Sequence, residues 1–152
     1  LFNIITAFIK DSQVLDLFAG TGSLGIEALS RGAAGAVFVD KCRECSVIIR
    51  ENLAHTKFME SSTVIVNDVG AAIGKMGSEG RKFDIIFLDP PYSKNFVEKT
   101  LNYIVKSDII TGEGIIVAEH DVDDVVPEEI EFIKRIRSER YGDTVLSFYR
   151  KS

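Results

Sequence analysis

Asp89-Pro90-Pro91-Tyr92 places a carboxylate, two rigid prolines and an aromatic ring directly behind an apolar run, Phe83 to Leu88. These residue types suit the handling of a flat ring that bears an amino group. A carboxylate accepts a hydrogen bond from an exocyclic NH₂, and an aromatic side chain stacks on the ring. Proline has a fixed φ and no N–H, so the pair presents backbone carbonyls in a stiff arrangement. The competing reading is a proline-rich turn that closes a strand. A glycine-rich segment upstream favours the first reading.

That segment is Asp16-Leu17-Phe18-Ala19-Gly20-Thr21-Gly22-Ser23-Leu24-Gly25, with Gly20, Gly22 and Gly25 spaced Gly-x-Gly-x-x-Gly. It lies between a predicted strand, Val14 to Phe18, and a predicted helix, Ser23 to Ser30. Glycines there allow a tight turn and close approach of a ligand to the backbone, and the helix start offers free N–H groups. Asp40, 20 residues beyond Gly20, ends the next strand, where a carboxylate accepts both hydroxyls of a ribose. To this point a nicotinamide dinucleotide fits equally well. Asp16 shifts the balance. A diphosphate repels a carboxylate at that position, whereas the sulfonium and ammonium of S-adenosylmethionine favour an anionic wall. Asn67-Asp68-Val69 then ends the third strand. Asp68 can accept from an adenine amino group and the Val69 N–H can donate to the ring. Asp68 also suits the N-cap of the following helix, and the two roles are compatible.

The elements that must hold these groups follow from apolar periodicity. Strands are predicted at Val14–Phe18, Ala36–Val39, Thr63–Val66, Phe83–Leu88 and Gly114–Ala118. Helices are predicted at Ser23–Ser30, Cys42–Leu53, Asp68–Met76 and Phe96–Val105. A mobile polar loop is expected over Gly77–Lys82, and the acidic stretch Glu119–Glu131 reads as a solvated face. Phe132–Tyr141 and Thr144–Tyr149 form a hairpin about Gly142-Asp143. Alternating strands and helices imply right-handed crossovers and a parallel sheet covered on both faces, with the hairpin adding an antiparallel edge. Leu1 to Ile5 has helical spacing without a cap, so it reads as the interior of a helix with a segment expected before it.

At 152 residues, with 45% hydrophobic and 27% charged residues, the chain is expected to form one domain. No apolar run approaches the roughly 18 residues of a membrane span. The net charge of -5 argues against binding nucleic acid through a general field, so such binding must be local. Lys134, Arg135, Arg137, Arg140, Arg150 and Lys151 offer phosphate contacts, or simply a solvated hairpin edge. Cys42 and Cys45 lack partners at zinc-ligand spacing. They read as ordinary thiols in a reducing cytoplasm, and no metal is expected.

Leu15 through Ala33, with Asn67-Asp68 and Asp89-Pro90-Pro91-Tyr92, resembles the class I S-adenosylmethionine-dependent methyltransferases. More narrowly, it is similar to the bacterial 16S rRNA guanine-N2 methyltransferases, the RsmD family. Leu1-Phe2-Asn3-Ile4 resembles the end of that family's N-terminal helix, and Arg140 to Thr144 its closing hairpin. The resemblance implies a Rossmann-like, seven-stranded, mostly parallel sheet with an antiparallel C-terminal hairpin. It implies S-adenosylmethionine as cofactor, and methylation of the N2 amine of one guanine in 16S rRNA, at position 966. The partner would be 16S rRNA or the assembling small subunit; a cytoplasmic monomer without membrane contact is expected. Asp89 and the Pro90 carbonyl are expected to accept from the amine, with Pro91 stiffening the turn and Tyr92 stacking on the base. Asp16, Phe18 and Ala19 would line the methionine end, wrapped by Gly20, Thr21, Gly22, Ser23 and Gly25. Asp40 would hold the ribose with Lys41 beside it, and Asp68 and Val69 the adenine. A DNA adenine-N6 methyltransferase, an NAD oxidoreductase and a non-catalytic ribosome-assembly module remain the rival readings.

Overall fold

The computed structural model describes residues 1–91 and 95–152, so the expectation for Tyr92 lies outside the described residues. In chain order the elements are α1 (Phe2–Ile9), β1 (Gln13–Leu17), α2 (Ser23–Ser30), β2 (Gly35–Asp40), α3 (Arg43–Thr56), β3 (Ser62–Val66) and α4 (Val69–Ser78). They continue with β4 (Phe83–Leu88), α5 (Phe96–Ser107), β5 (Ile110–Asp121), β6 (Glu129–Ile130), β7 (Ile133–Tyr141) and β8 (Thr144–Lys151). The strands form one sheet in the order β3-β2-β1-β4-β5-β8-β7-β6. Strands β1 to β5 run parallel, and β8 pairs antiparallel with both β5 and β7.

Near-continuous apolar runs form these parallel strands because both sheet faces are buried. Val14, Phe38, Ile85 and Phe87 project to one face, against Ile5, Ile9, Ala28, Leu29, Ile49 and Leu53 of α1–α3. Their neighbours Leu15, Leu17, Val37, Val39, Ile86 and Leu88 project to the other, against Ala72, Ile73, Met76, Leu101 and Ile104 of α4 and α5. The strand period of two thus assigns each residue a layer. No helix among the described residues is long and apolar enough to cross a membrane.

The structure corrects four expectations. The sheet has eight strands rather than seven, because the two-residue β6 pairs with β7. The acidic stretch is accordingly anchored rather than wholly solvated. The Tyr149 hydroxyl donates to the Pro127 carbonyl at 2.7 Å, and the Arg135 N–H donates to the Glu128 carbonyl at 2.7 Å. Strand β5 runs to Asp121 instead of ending at Ala118, since β8 pairs along it as far as Thr144. Helix α4 continues to Ser78 where a loop was expected from Gly77. A Cβ on Gly77 would lie 2.8 Å from Ser107, so this glycine serves close helix packing and not a break.

Candidate active site

In a parallel sheet the ligand crevice opens beyond the C-terminal strand ends, where crossovers depart to opposite faces. Here β1 is flanked by β2 and β4, and a cleft of about 680 Å³ lies beyond their tips. Its walls include Phe18 after β1, Asp40 and Lys41 after β2, Asp68 and Val69 after β3, and Asp89, Pro90 and Pro91 after β4. Eight of the expected site residues therefore converge on one cavity.

The glycine turn explains how this cavity is shaped. Phe18 adopts φ 60°, a left-handed conformation that is uncommon for a bulky residue. It turns the chain out of β1 and sets its ring edge-on to Phe96, centroids 6.4 Å apart. The Ala19 N–H then donates to the Val39 carbonyl at 3.0 Å. Gly20, at φ 59°, donates its N–H to Asp40 Oδ2 at 2.9 Å, and the Cys42 N–H donates to Asp40 Oδ1 at 2.9 Å. Both oxygens are thus fixed by backbone donors, and each keeps lone-pair capacity for a further partner. The Gly22 N–H donates to the Ala19 carbonyl at 2.8 Å, while the Thr21 and Ser23 hydroxyls lie 2.8 Å apart. Ala19, Gly20, Thr21, Gly22 and Ser23 are not among the residues that line the cleft; the turn they form holds Phe18 and Asp40, which do.

Asp16 departs from its expected place. It projects to the α1–α3 face and is only 2% exposed, with Oδ2 accepting from the Gly25 N–H at 3.0 Å. A Cβ on Gly25 would run into the Phe38 ring, so the absent side chain is what lets α2 settle onto this carboxyl. Burial, reinforced by the charges of Asp89 and Asp40, pushes Asp16 up from 3.8 to about 8. It supports the turn from beneath and is not among the residues that line the cleft.

Asp68 caps α4, its Oδ2 accepting from the Ala71 N–H at 3.1 Å, and still faces the cavity. Asp89 is pushed up to about 7, first by desolvation of its carboxyl and then by a hydrogen bond and like charge from Glu119. Glu119 was not anticipated. Strand register explains it: Leu88 pairs with Ala118, so the next residues are Asp89, just past the end of β4, and Glu119, still within β5, side by side. In the sequence Glu119 is hidden at the head of an acidic run.

Helix α5 supplies a second unanticipated wall. Its core face, Val97, Leu101 and Ile104, is buried, while Phe96, Lys99, Thr100 and Tyr103 line the cleft. Their spacing of three or four residues marks one helix face and is visible in the sequence. Gly70 completes the contact, because a Cβ there would lie 2.7 Å from the Tyr103 ring.

Cys42 Sγ caps α3 by accepting from the Cys45 N–H at 3.2 Å, and a side-chain hydrogen bond with Cys42 pushes the Cys45 thiol up to about 11. The two sulfurs and an Asp40 carboxylate oxygen lie within 4.8 Å of one another, a grouping that the sequence spacing did not suggest. The Asp40 oxygens are already engaged by the Gly20 and Cys42 N–H groups.

Comparison with known proteins places this architecture. The chain is 36% identical over 151 residues to YlbH of Bacillus subtilis, covering 99% of this chain and 82% of YlbH. It is 36% identical over 127 residues to the ribosomal RNA small subunit methyltransferase D of Escherichia coli K12, covering 84% of this chain and 62% of that protein. A solved structure of a conserved hypothetical protein from Streptococcus pyogenes superposes with a TM-score of 0.90 at 33% identity, covering 99% of this chain and 92% of that one. Sheet order, strand-tip cleft and glycine turn are those of a class I methyltransferase fold, and the family model described as Conserved hypothetical protein 95 matches residues 1–150, so the chain belongs to that family.

Proposed function

We propose that the chain transfers a methyl group from S-adenosylmethionine to the exocyclic N2 amine of a guanine in 16S rRNA, at position 966. One observation carries this reading: Asp40, Asp68 and Asp89 share a single cleft at neighbouring strand tips. S-adenosylmethionine binding accompanies this fold among the structural relatives, and one relative is a small-subunit rRNA methyltransferase.

The donor set suits that cofactor. Asp40, held by two backbone donors, presents acceptors for ribose hydroxyls. Asp68 and the Val69 N–H line the same cleft and are assigned to the adenine edge as acceptor and donor. Phe18, Tyr103 and Pro90 supply apolar walls for its flat parts. When bound, S-adenosylmethionine supplies an electrophilic methyl on a cationic sulfur.

The chain's own groups act on the acceptor. An exocyclic nitrogen is a weak nucleophile, because its lone pair is delocalised into the ring. Asp89 and the Pro90 carbonyl accept from the NH₂, and their attraction grows as the nitrogen becomes tetrahedral and positive. Such groups stabilise the transition state more than the ground state. Tyr92 is assigned, from sequence alone, to stacking, worth about 1–3 kcal/mol per base. The base must be unstacked to enter the cleft.

The test is transfer of tritiated methyl groups to 16S rRNA particles from cells that lack the protein, with duplex DNA in parallel, followed by mapping of the modified nucleotide. Label at guanine N2 supports the reading. Label at adenine N6 of DNA overturns the substrate assignment. Micromolar NAD binding without any response to S-adenosylhomocysteine, measured calorimetrically, overturns the cofactor as well.

A further inference from the structure

We infer that Glu119 is a specificity-determining residue that reads the N1–H of the acceptor purine beside Asp89, so that the cleft selects guanine over adenine. This inference rests on the methyltransferase reading above and names what makes its acceptor site selective.

The placement is set by backbone register. Leu88 pairs with Ala118 across parallel strands, which puts Asp89 and Glu119 at one level, the first just past the end of β4 and the second within β5. Both line the main cleft, close enough that Glu119 adds to the desolvation that raises Asp89. Glu119 itself pairs with Leu146 of β8, which holds its backbone from that side. Just behind it, His120 is 4% exposed and bound through Nε2 to the Ser147 hydroxyl at 2.8 Å. Nδ1 faces the Asp121 carbonyl at 3.0 Å and must donate there, so both ring nitrogens are held. A rigid support of this kind holds a reading group in place.

Two carboxylates side by side make a specific template. The Watson–Crick edge of guanine carries adjacent donors, N1–H and N2–H₂, whereas adenine offers N6–H₂ beside an N1 lone pair. If Asp89 accepts from the amine that receives the methyl, the adjacent ring position must also be a donor to satisfy Glu119. Guanine meets both acceptors. Adenine sets its N1 lone pair against a carboxylate. Glu119 also borders a side cavity of about 260 Å³ behind Pro90, Pro91 and Phe96, which leaves room for the ring edge beyond the amine. Sites built to hydrogen-bond a donor reject analogues that lack it far more strongly than apolar pockets reject a missing methyl group.

The experiment uses 16S rRNA transcripts that carry either guanine or 2-aminopurine at the nucleotide mapped above. 2-Aminopurine keeps the amine but presents an N1 lone pair. Wild-type protein is expected to prefer guanine in kcat/KM by at least about 100-fold. Glu119→Gln, whose amide can donate, should lower transfer to guanine at least about tenfold and raise transfer to 2-aminopurine, bringing the ratio within about tenfold. Its affinity for S-adenosylhomocysteine should remain within about twofold, because only the acceptor edge changes. Glu119→Asp, which keeps an acceptor, should retain the guanine preference. An identical guanine to 2-aminopurine ratio in wild type and Glu119→Gln overturns the inference alone. A wild-type ratio near one overturns it without reference to any variant. Failure of the wild type to label any guanine overturns the proposed function, and this inference with it.

Discussion

Asp89 and Asp16 carry similar side chains into opposite roles, and their surroundings decide which. Asp89 is open to the cleft, and the acceptor role proposed for it requires the carboxylate form. It is raised to about 7 by desolvation and then by Glu119, with Lys41, Lys99, Asp40 and Asp68 facing the same space. kcat/KM should therefore climb about tenfold per pH unit below about pH 7 and level above it. A profile flat from about pH 5 to 8 would remove Asp89 from the chemistry. Asp89→Ala should abolish transfer while leaving S-adenosylhomocysteine affinity within about threefold, since the residue meets the base and not the nucleoside. Asp16 acts on stability instead. Its folded value of about 8 lies far above the ordinary 3.8. Between those values the unfolded chain has released a proton that the folded chain retains, so rising pH favours unfolding. The ligand-free protein should lose Tm steadily from about pH 5 to pH 8, and Asp16→Asn should flatten most of that slope while keeping an acceptor for Gly25. An unchanged slope in the variant would show that other groups, Asp89 first among them, set the pH dependence.

At the level of elements, the glycine turn is the most sharply constrained piece. α2 approaches β2 so closely that a methyl at Gly25 collides with the Phe38 ring. Gly25→Ala should cost about 1–3 kcal/mol by overpacking, read from denaturant melts, and should weaken cofactor binding through a displaced turn. A variant as stable as wild type would mean that Phe38 yields freely. Much of this scale was legible in the sequence. Helix α2 runs from Ser23 to Ser30 and strand β4 from Phe83 to Leu88, as periodicity and glycine placement indicate. What escaped has physical causes. Gly77 reads locally as a breaker, yet tertiary contact with Ser107 retains it inside α4. β6 is two residues long and exists only because β7 offers an edge. The cleft-facing side of α5 carries no local mark of its role, because periodicity reveals which face is buried but not what the other face meets. Strand register decided the remaining cases: it hid Asp16 under α2 and brought Glu119 beside Asp89. Register is a relation between segments and leaves no local mark.

For the molecule as a whole, the open matter is how an acidic chain meets RNA. The net charge is -5, and the C-terminal cations are largely engaged by the protein itself. Arg135 pairs with Glu128, Arg137 with Glu139, Arg150 with Glu113 and Lys151 with Asp108. Exposed pairs of this kind contribute little stability, of order 0–1 kcal/mol each, but each must be broken before its cation can meet a phosphate. Lys134 is exposed and has no ion-pair partner among the described residues. RNA contact by this chain is therefore expected to be local, built from the base in the cleft and a few phosphates. Each neutralised phosphate steepens the dependence of log K on log salt by roughly 0.7 for single strands. With two or three contacts the slope should lie near about −2. Titrating 16S rRNA fragments at several salt concentrations measures it directly. A slope of about −6 or steeper would mean that the hairpin pairs open and the C-terminal face tracks the backbone. In that case Arg137→Glu and Arg150→Glu should each flatten the slope by about one contact, while leaving S-adenosylhomocysteine binding untouched.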